Sequence, residues 1–170
     1  MKDYAELHCL SCFSFLRGVS QPTELVEYAS KLGYTAIAIT DDCSLAGAVK
    51  AHVVAKSLDI KLIIGSQFEL LDGIKLVALA PNKSAYKELS NLISLARTRC
   101  SKGKYRVFLK DVMFYLKRCL IIWLPIQDYD TELSHGYNLK RIFGNHIWLG
   151  TTNLLCSNQA ELYMINQRLS

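Results

Sequence analysis

No stretch of this 170-residue chain approaches the ~20 consecutive apolar residues that a helical membrane span requires. Its opening residues, Met1-Lys2-Asp3-Tyr4-Ala5-Glu6, lack the long apolar stretch of an export signal. Both absences point to a cytoplasmic protein without membrane attachment. There is no internal repeat, no low-complexity tract and no linker, so a single domain over 1–170 is expected. Six cysteines, at 9, 12, 43, 100, 119 and 156, raise the question of disulfides or zinc. The Cys9-x-x-Cys12 pair has no second Cys/His pair at matching spacing, and it does not open a helix after a strand. Reduced, largely buried thiols are the expectation.

What is present is core-forming material. Apolar residues make up 51% of the chain, and its mean hydropathy is +0.14. A chain of this length buries roughly 70% of its unfolded surface without disulfides or a structural metal.

Charge is unevenly placed. From Arg97 to Arg118 there are eight Lys/Arg against one acid, Asp111, so this window carries +7 of a net +5 and the remainder carries −2. Within it Arg97, Arg99, Lys102, Lys104 and Arg106 are candidates for weak, sequence-independent contact with nucleic acid. Tyr105 and Phe108 interleave with these charges, but no DNA- or RNA-binding motif frames them. A solvated helix end and loop is an equal reading of the same residues.

Strand-like and helix-like segments alternate. Residues 4–10 read as a first strand. Pro22 opens a helix with Leu25, Val26, Ala29 and Leu32 on one face, and Gly33 stops it. Ala36–Thr40 is a short apolar strand of the buried, parallel type. Ser44 fits an N-cap, with Leu45, Ala48, Val49, His52, Val53 and Lys56 on one helix face. Lys61–Ile64 runs into Phe68–Leu71, and Asp72-Gly73 turns the chain into Ile74–Ala80. Asn82–Ala96 reads as a helix with Tyr86, Leu89, Ile93 and Ala96 inward. Further on come a strand at Cys119–Leu124, a helix at Thr131–Phe143, a strand at His146–Gly150 and a helix at Asn158–Arg168. This alternation predicts an α/β fold with a mainly parallel sheet or a partial β/α barrel.

Three apolar runs end in polar residues: His8, the Asp41-Asp42 pair, and Gly65-Ser66-Gln67. In barrels of this class chemistry sits at the strand ends. Taken together, ELHCLSCFSFLRG, LGYTAIAITDDCSLAGAVKAH and IKLIIGSQFEL resemble the PHP (polymerase and histidinol phosphatase) domain that opens bacterial C-family DNA polymerases, most closely the error-prone subgroup. LISLARTRCSKGKYR extends the likeness, which is strong over 4–107 and thin afterwards.

The resemblance implies a distorted β/α barrel with a metal cluster at its strand ends, here truncated because the later part of the barrel has no counterpart. Active members carry His-x-His, Asp-His and Gly-x-Glu. Here His8 keeps the first histidine but Leu10 replaces its partner. Asp41 keeps the aspartate, Asp42 replaces the following histidine, and Gln67 replaces the glutamate. A leucine has no lone pair to give, and a neutral amide is a weak ligand for clustered cations. His8, Asp41 and Asp42 are thus expected as a vestigial metal set holding at most one divalent ion, weakly, with no other cofactor. The family's later Asp-x-His is absent; His135 and His146 lie in other contexts.

Three functions follow as expectations. The first is a non-catalytic PHP domain of an error-prone polymerase. It would serve damage-associated DNA synthesis by supporting the polymerase catalytic region and its damage-tolerance partners. The second is a stand-alone PHP-type metal-dependent phosphoesterase. The third is a nucleic-acid-binding scaffold using the basic window. A barrel that stops early would also leave the strands at 4–10 and 146–150 unpaired on one side, so self-association through open sheet edges is expected.

Overall fold

Among the described residues six strands form one sheet in the order of the sequence. They are β1 (Ala5–Cys9), β2 (Ala36–Ile39), β3 (Lys61–Glu69), β4 (Lys75–Ala80), β5 (Leu120–Leu124) and β6 (Ile147–Leu149). The computed structural model describes residues 4–126 and 129–151. Strands β1, β2 and β3 run parallel, β3–β4 and β4–β5 pair antiparallel, and β5–β6 is parallel again. The sheet curls into a half-barrel. The strands are connected by helices α1 (Pro22–Lys31), α2 (Ala48–Ser57), α3 (Lys83–Thr98), α4 (Leu109–Tyr115) and α5 (Tyr129–Phe143).

Local chemistry sets the element ends. The Gln21 N–H donates to the Glu24 carboxylate at 2.8 Å, and Pro22 starts α1 where a missing N–H costs nothing. Gly33, at φ +74°, closes that helix. The Asn82 side chain accepts from the Ala85 N–H at 3.0 Å and caps α3. Gly65 is required at the centre of the sheet, because a Cβ there would lie 2.7 Å from the Ala78 carbonyl oxygen and 3.0 Å from the Thr40 methyl.

Alternation along the strands separates two faces. On the convex side Val26 and Ala29 of α1 and Ala51 and Ala55 of α2 pack on Ile37 and Ile39. Beside them α3 and α4 bury Leu89, Leu92, Val112 and Leu116 against Phe68, Leu76, Ile121 and Trp123. The concave side carries Ala38, Val77, Leu79 and Leu124, with Ile63, Leu120 and Ile122 beside them. That side opens into a cavity of about 920 Å³, which reaches from Leu7 on β1 to Trp148 on β6. Among the described residues β1 and β6 each have one strand neighbour only.

Several expectations change in detail. Helix α2 starts three residues later than an N-cap at Ser44 implies, because Ser44 Oγ is engaged by the Ala46 N–H in a tight turn. It buries Ala48, Ala51 and Ala55, leaving Val49, His52 and Val53 in solvent; small residues allow the close approach of α1 and α2. Leu32 and Tyr86 are exposed, while Ala85 and Leu92 take inward positions on α3. Helix α4 was not expected; Asp111, accepting from the Phe108 N–H at 3.0 Å, caps it within the basic window. The Asn158–Arg168 helix and Cys156 lie outside the described residues.

Candidate functional site

The ends of β1, β2 and β3 bring His8, Asp41, Asp42 and Gln67 to one end of the half-barrel. Asp41 is 1% exposed, and its carboxylate faces the loop that follows β1. Oδ1 accepts from the Ser11 N–H at 2.8 Å and the Ser14 hydroxyl at 2.6 Å; Oδ2 accepts from the Ser11 hydroxyl at 2.7 Å. Ser14 Oγ in turn accepts from the Asp42 N–H at 3.0 Å. A buried carboxylate is tolerable when hydrogen bonds replace its hydration. Asp41 meets that condition by holding the 10–20 loop in place.

Asp42 has a different set of partners. Its Oδ1 accepts from the Tyr105 hydroxyl at 2.9 Å and the Gln67 amide nitrogen at 3.3 Å, and Arg17 Nη1 stands 3.8 Å away. With its nitrogen turned to Asp42, Gln67 presents Oε1 to His8 Nε2 at 2.9 Å, which makes Nε2 the protonated nitrogen. Burial pushes the His8 imidazole below its ordinary value, and Lys75 adds to this against the opposing hydrogen bond from Gln67. Burial, reinforced by the Asp42 charge, raises the Tyr105 phenol. The result is a chain, His8 to Gln67 to Asp42 to Tyr105, in which each donor meets an acceptor.

The donor set does not suit a metal cluster. Among the described residues no group of three His, Cys, Asp or Glu side chains is placed to hold a metal ion. Leu10 is half-buried and offers no donor. His8 and Asp42 reach each other only through the Gln67 amide, and Asp41 looks toward the serines. Cys9 and Cys12 are unpaired, and burial raises the Cys9 thiol to about 11, leaving it protonated near neutrality. His135 stands 3.6 Å from Glu132 on its own helix.

The basic window divides into two kinds of residue. Arg97 is half-buried; its Nε donates to the Cys43 carbonyl at 3.1 Å and Nη2 to the Asp42 carbonyl at 2.9 Å. Its guanidinium lies 5.2 Å over the Tyr105 ring. Arg99 forks onto Asp111, with Nη2 to Oδ1 at 3.0 Å and Nη1 on Oδ2. The Arg99 hydrogen bond holds the Asp111 carboxyl below its usual range. Lys102, Lys104 and Arg106 are exposed.

Sequence reading missed Ser11, Ser14, Arg17 and Tyr105 as builders of this site. The Ser11-x-x-Ser14 spacing in LSCFSF is a usable signal, since such spacing lets one turn offer both hydroxyls to a buried acceptor. Nothing along the chain signals that Tyr105 reaches Asp42, 63 residues earlier.

Comparison with known proteins agrees with this architecture. The family model described as PHP domain matches residues 6–131. An error-prone DNA polymerase of Saccharophagus degradans is 50% identical over 161 residues, covering 95% of this chain and 16% of that polymerase. Those of Teredinibacter turnerae and Methylococcus capsulatus are 48% and 50% identical over 167 residues, 98% of this chain. The chain thus spans 16% of the length of these curated relatives. Among solved structures, one described as a metal-dependent phosphoesterase from Bifidobacterium adolescentis superposes with a TM-score of 0.65 at 15% identity. It covers 99% of this chain and 85% of its own. An amidohydrolase from Chromobacterium violaceum gives 0.62 at 13% identity, over 96% of this chain and 83% of its own. At such identities these two likenesses speak for the fold.

Proposed function

We propose, because this chain belongs to the PHP domain family, that it serves as a non-catalytic PHP domain supporting the catalytic region of an error-prone DNA polymerase. The observation that carries this reading is the strand-end network. Metal-assisted phosphoester hydrolysis needs closely spaced ions that activate water and clamp the leaving oxygen. Here Asp41 is committed to Ser11 and Ser14, and Gln67 stands between His8 and Asp42. The same side chains that would ligate metals brace three strand ends and a loop. On this reading the site holds at most one divalent ion, weakly, and the domain acts in the cytoplasm within damage-associated DNA synthesis.

Two measurements test it. The purified chain should neither extend a primed template nor hydrolyse phosphoesters in manganese or zinc. A Saccharophagus degradans polymerase whose matched region is replaced by this chain should retain template-dependent synthesis. Two or more tightly held metal equivalents, with hydrolysis lost on Asp41→Ala, would establish the phosphoesterase alternative instead.

A contribution to DNA contact is favoured by the exposed Lys102, Lys104 and Arg106. Self-association is favoured by β1 and β6, each with one strand neighbour among the described residues, flanking the apolar concave face.

A further inference from the structure

The loop after β1 combines two properties that seldom coincide. It is held rigidly, and it presents large apolar side chains to water. Phe15 is 84% exposed, Leu16 90% and Val19 93%. Leu16 sits at φ +62°, a left-handed conformation that a leucine adopts at a cost. The base of the loop is locked by the Cys12 N–H to the Ser20 carbonyl at 2.8 Å, and by Arg17 and Gly18 N–H groups to the Ser14 carbonyl at 2.9 and 3.0 Å. Gly18 packs so closely that a Cβ would lie 2.0 Å from the Ser11 carbonyl oxygen. The buried Asp41 carboxylate anchors the whole turn from below.

A floppy loop would fold its apolar residues back onto the protein. This one is prevented from doing so by its own hydrogen bonds. Preorganisation of that kind lowers the entropy lost when a surface is covered, and clustered exposed apolar side chains mark contact surfaces. Basic side chains lie at the tip: Arg17 stands within it, 3.8 Å from Asp42, and the exposed Lys50 lies 5.6 Å from the ring of Phe13, two residues before it.

We propose that the Phe15-Leu16-Val19 tip is a docking knob that seats in an apolar, acid-rimmed pocket of the polymerase chain outside the region this domain matches. This rests on the function proposed above. Two observations point to this occupant: the curated relatives carry this region as 16% of one much longer polypeptide, and the exposed Lys50 beside the knob favours a partner surface with acidic groups at its edge.

The test uses thiol accessibility. Phe15→Cys and Val19→Cys are made in the 170-residue chain, and in the Saccharophagus degradans polymerase carrying this chain in place of its matched region. Alkylation at each new cysteine is followed by mass spectrometry. Both positions should react at least tenfold more slowly in the polymerase than in the isolated chain. Equal rates in a polymerase that still synthesises DNA would overturn the knob while leaving the proposed function standing. Slow labelling in the isolated chain that speeds up on dilution would assign the knob to a second copy and also overturn the proposal. A folded chimera without synthesis would remove the function and the knob together.

Discussion

The strand-end site and the basic window both gather chemistry-bearing side chains, yet they dispose of their charge in opposite ways. Around Asp41 and Asp42 the polar atoms are buried and spent on one another. In the window Arg97, Arg99 and Arg118 are paired within the fold, while Lys102, Lys104 and Arg106 stay in water. A buried polar network is costly to break, because removing one member strands the others without water. A solvated cation has nothing comparable to lose. The same distinction separates residues that hold this molecule together from residues that remain available to a partner.

The sharpest way to break the comparison is Asp41→Ala. It leaves the Ser11 N–H and two buried hydroxyls unsatisfied, so a loss of about 3 kcal/mol or more is expected in urea unfolding. Asp41→Asn, which keeps one acceptor, should cost about half as much. A neutral Asp41→Ala would mean that the loop is not anchored there. Next in size is Asp111→Ala, which removes the cap of α4 and the Arg99 fork; about 1 kcal/mol is expected.

A smaller effect comes from pH. Unfolded, His8 takes up a proton near its ordinary value of 6.5; folded, it does so only at lower pH. Folding therefore disfavours the proton. Stability should be level above about 6.5 and fall as pH drops from there through the folded value. His8→Gln should flatten this slope. Asp111 acts in the same direction further down, its contribution being present above 3.8 and lost below it. A profile unchanged by His8→Gln would remove His8 from the network.

The β1 and β6 edges, each with one strand neighbour among the described residues, predict a concentration effect. Sedimentation at tens of micromolar (roughly the regime where exposed edges associate) should show dimers or larger species. A clean monomer would mean that the β1 and β6 edges are not exposed. The smallest expected change is Lys102→Glu with Lys104→Glu and Arg106→Glu, which should leave stability within about 0.5 kcal/mol. Salt-sensitive retention on DNA should disappear in the same variant; retention equal to the parent would end the case for DNA contact.

Much of this was legible along the chain. Short apolar runs marked β2 through β5, since a strand buried on both faces has little polar content. Pro22, Gly33, Asn82 and Gly73 marked element ends through local backbone chemistry. His8, Asp41, Asp42 and Gln67 were legible as one set because each lies where an apolar run gives way to polar residues. Less legible was which helix face turns inward. On α2 the valines looked like core, but the alanines are buried, since the close approach of α1 favours small side chains. The α4 helix was hidden because its cap, Asp111, read as a lone acid among bases.

What the residues determined by themselves is the alternation of strands and helices, and the side-chain chemistry at positions 10 and 67, an alkyl group and a neutral amide. Both follow from the covalent nature of single side chains and their neighbours in the chain. What the tertiary structure alone decided is where each charge is spent. Asp41 and Asp42 are adjacent in sequence, yet one turns to Ser11 and Ser14 and the other to Gln67 and Tyr105. Arg97 and Lys102 share one basic run, yet one is pinned to backbone carbonyls and the other is solvated. Hydrogen bonds act over about 3 Å and are set by contacts between residues tens of positions apart, so only the folded chain could assign them.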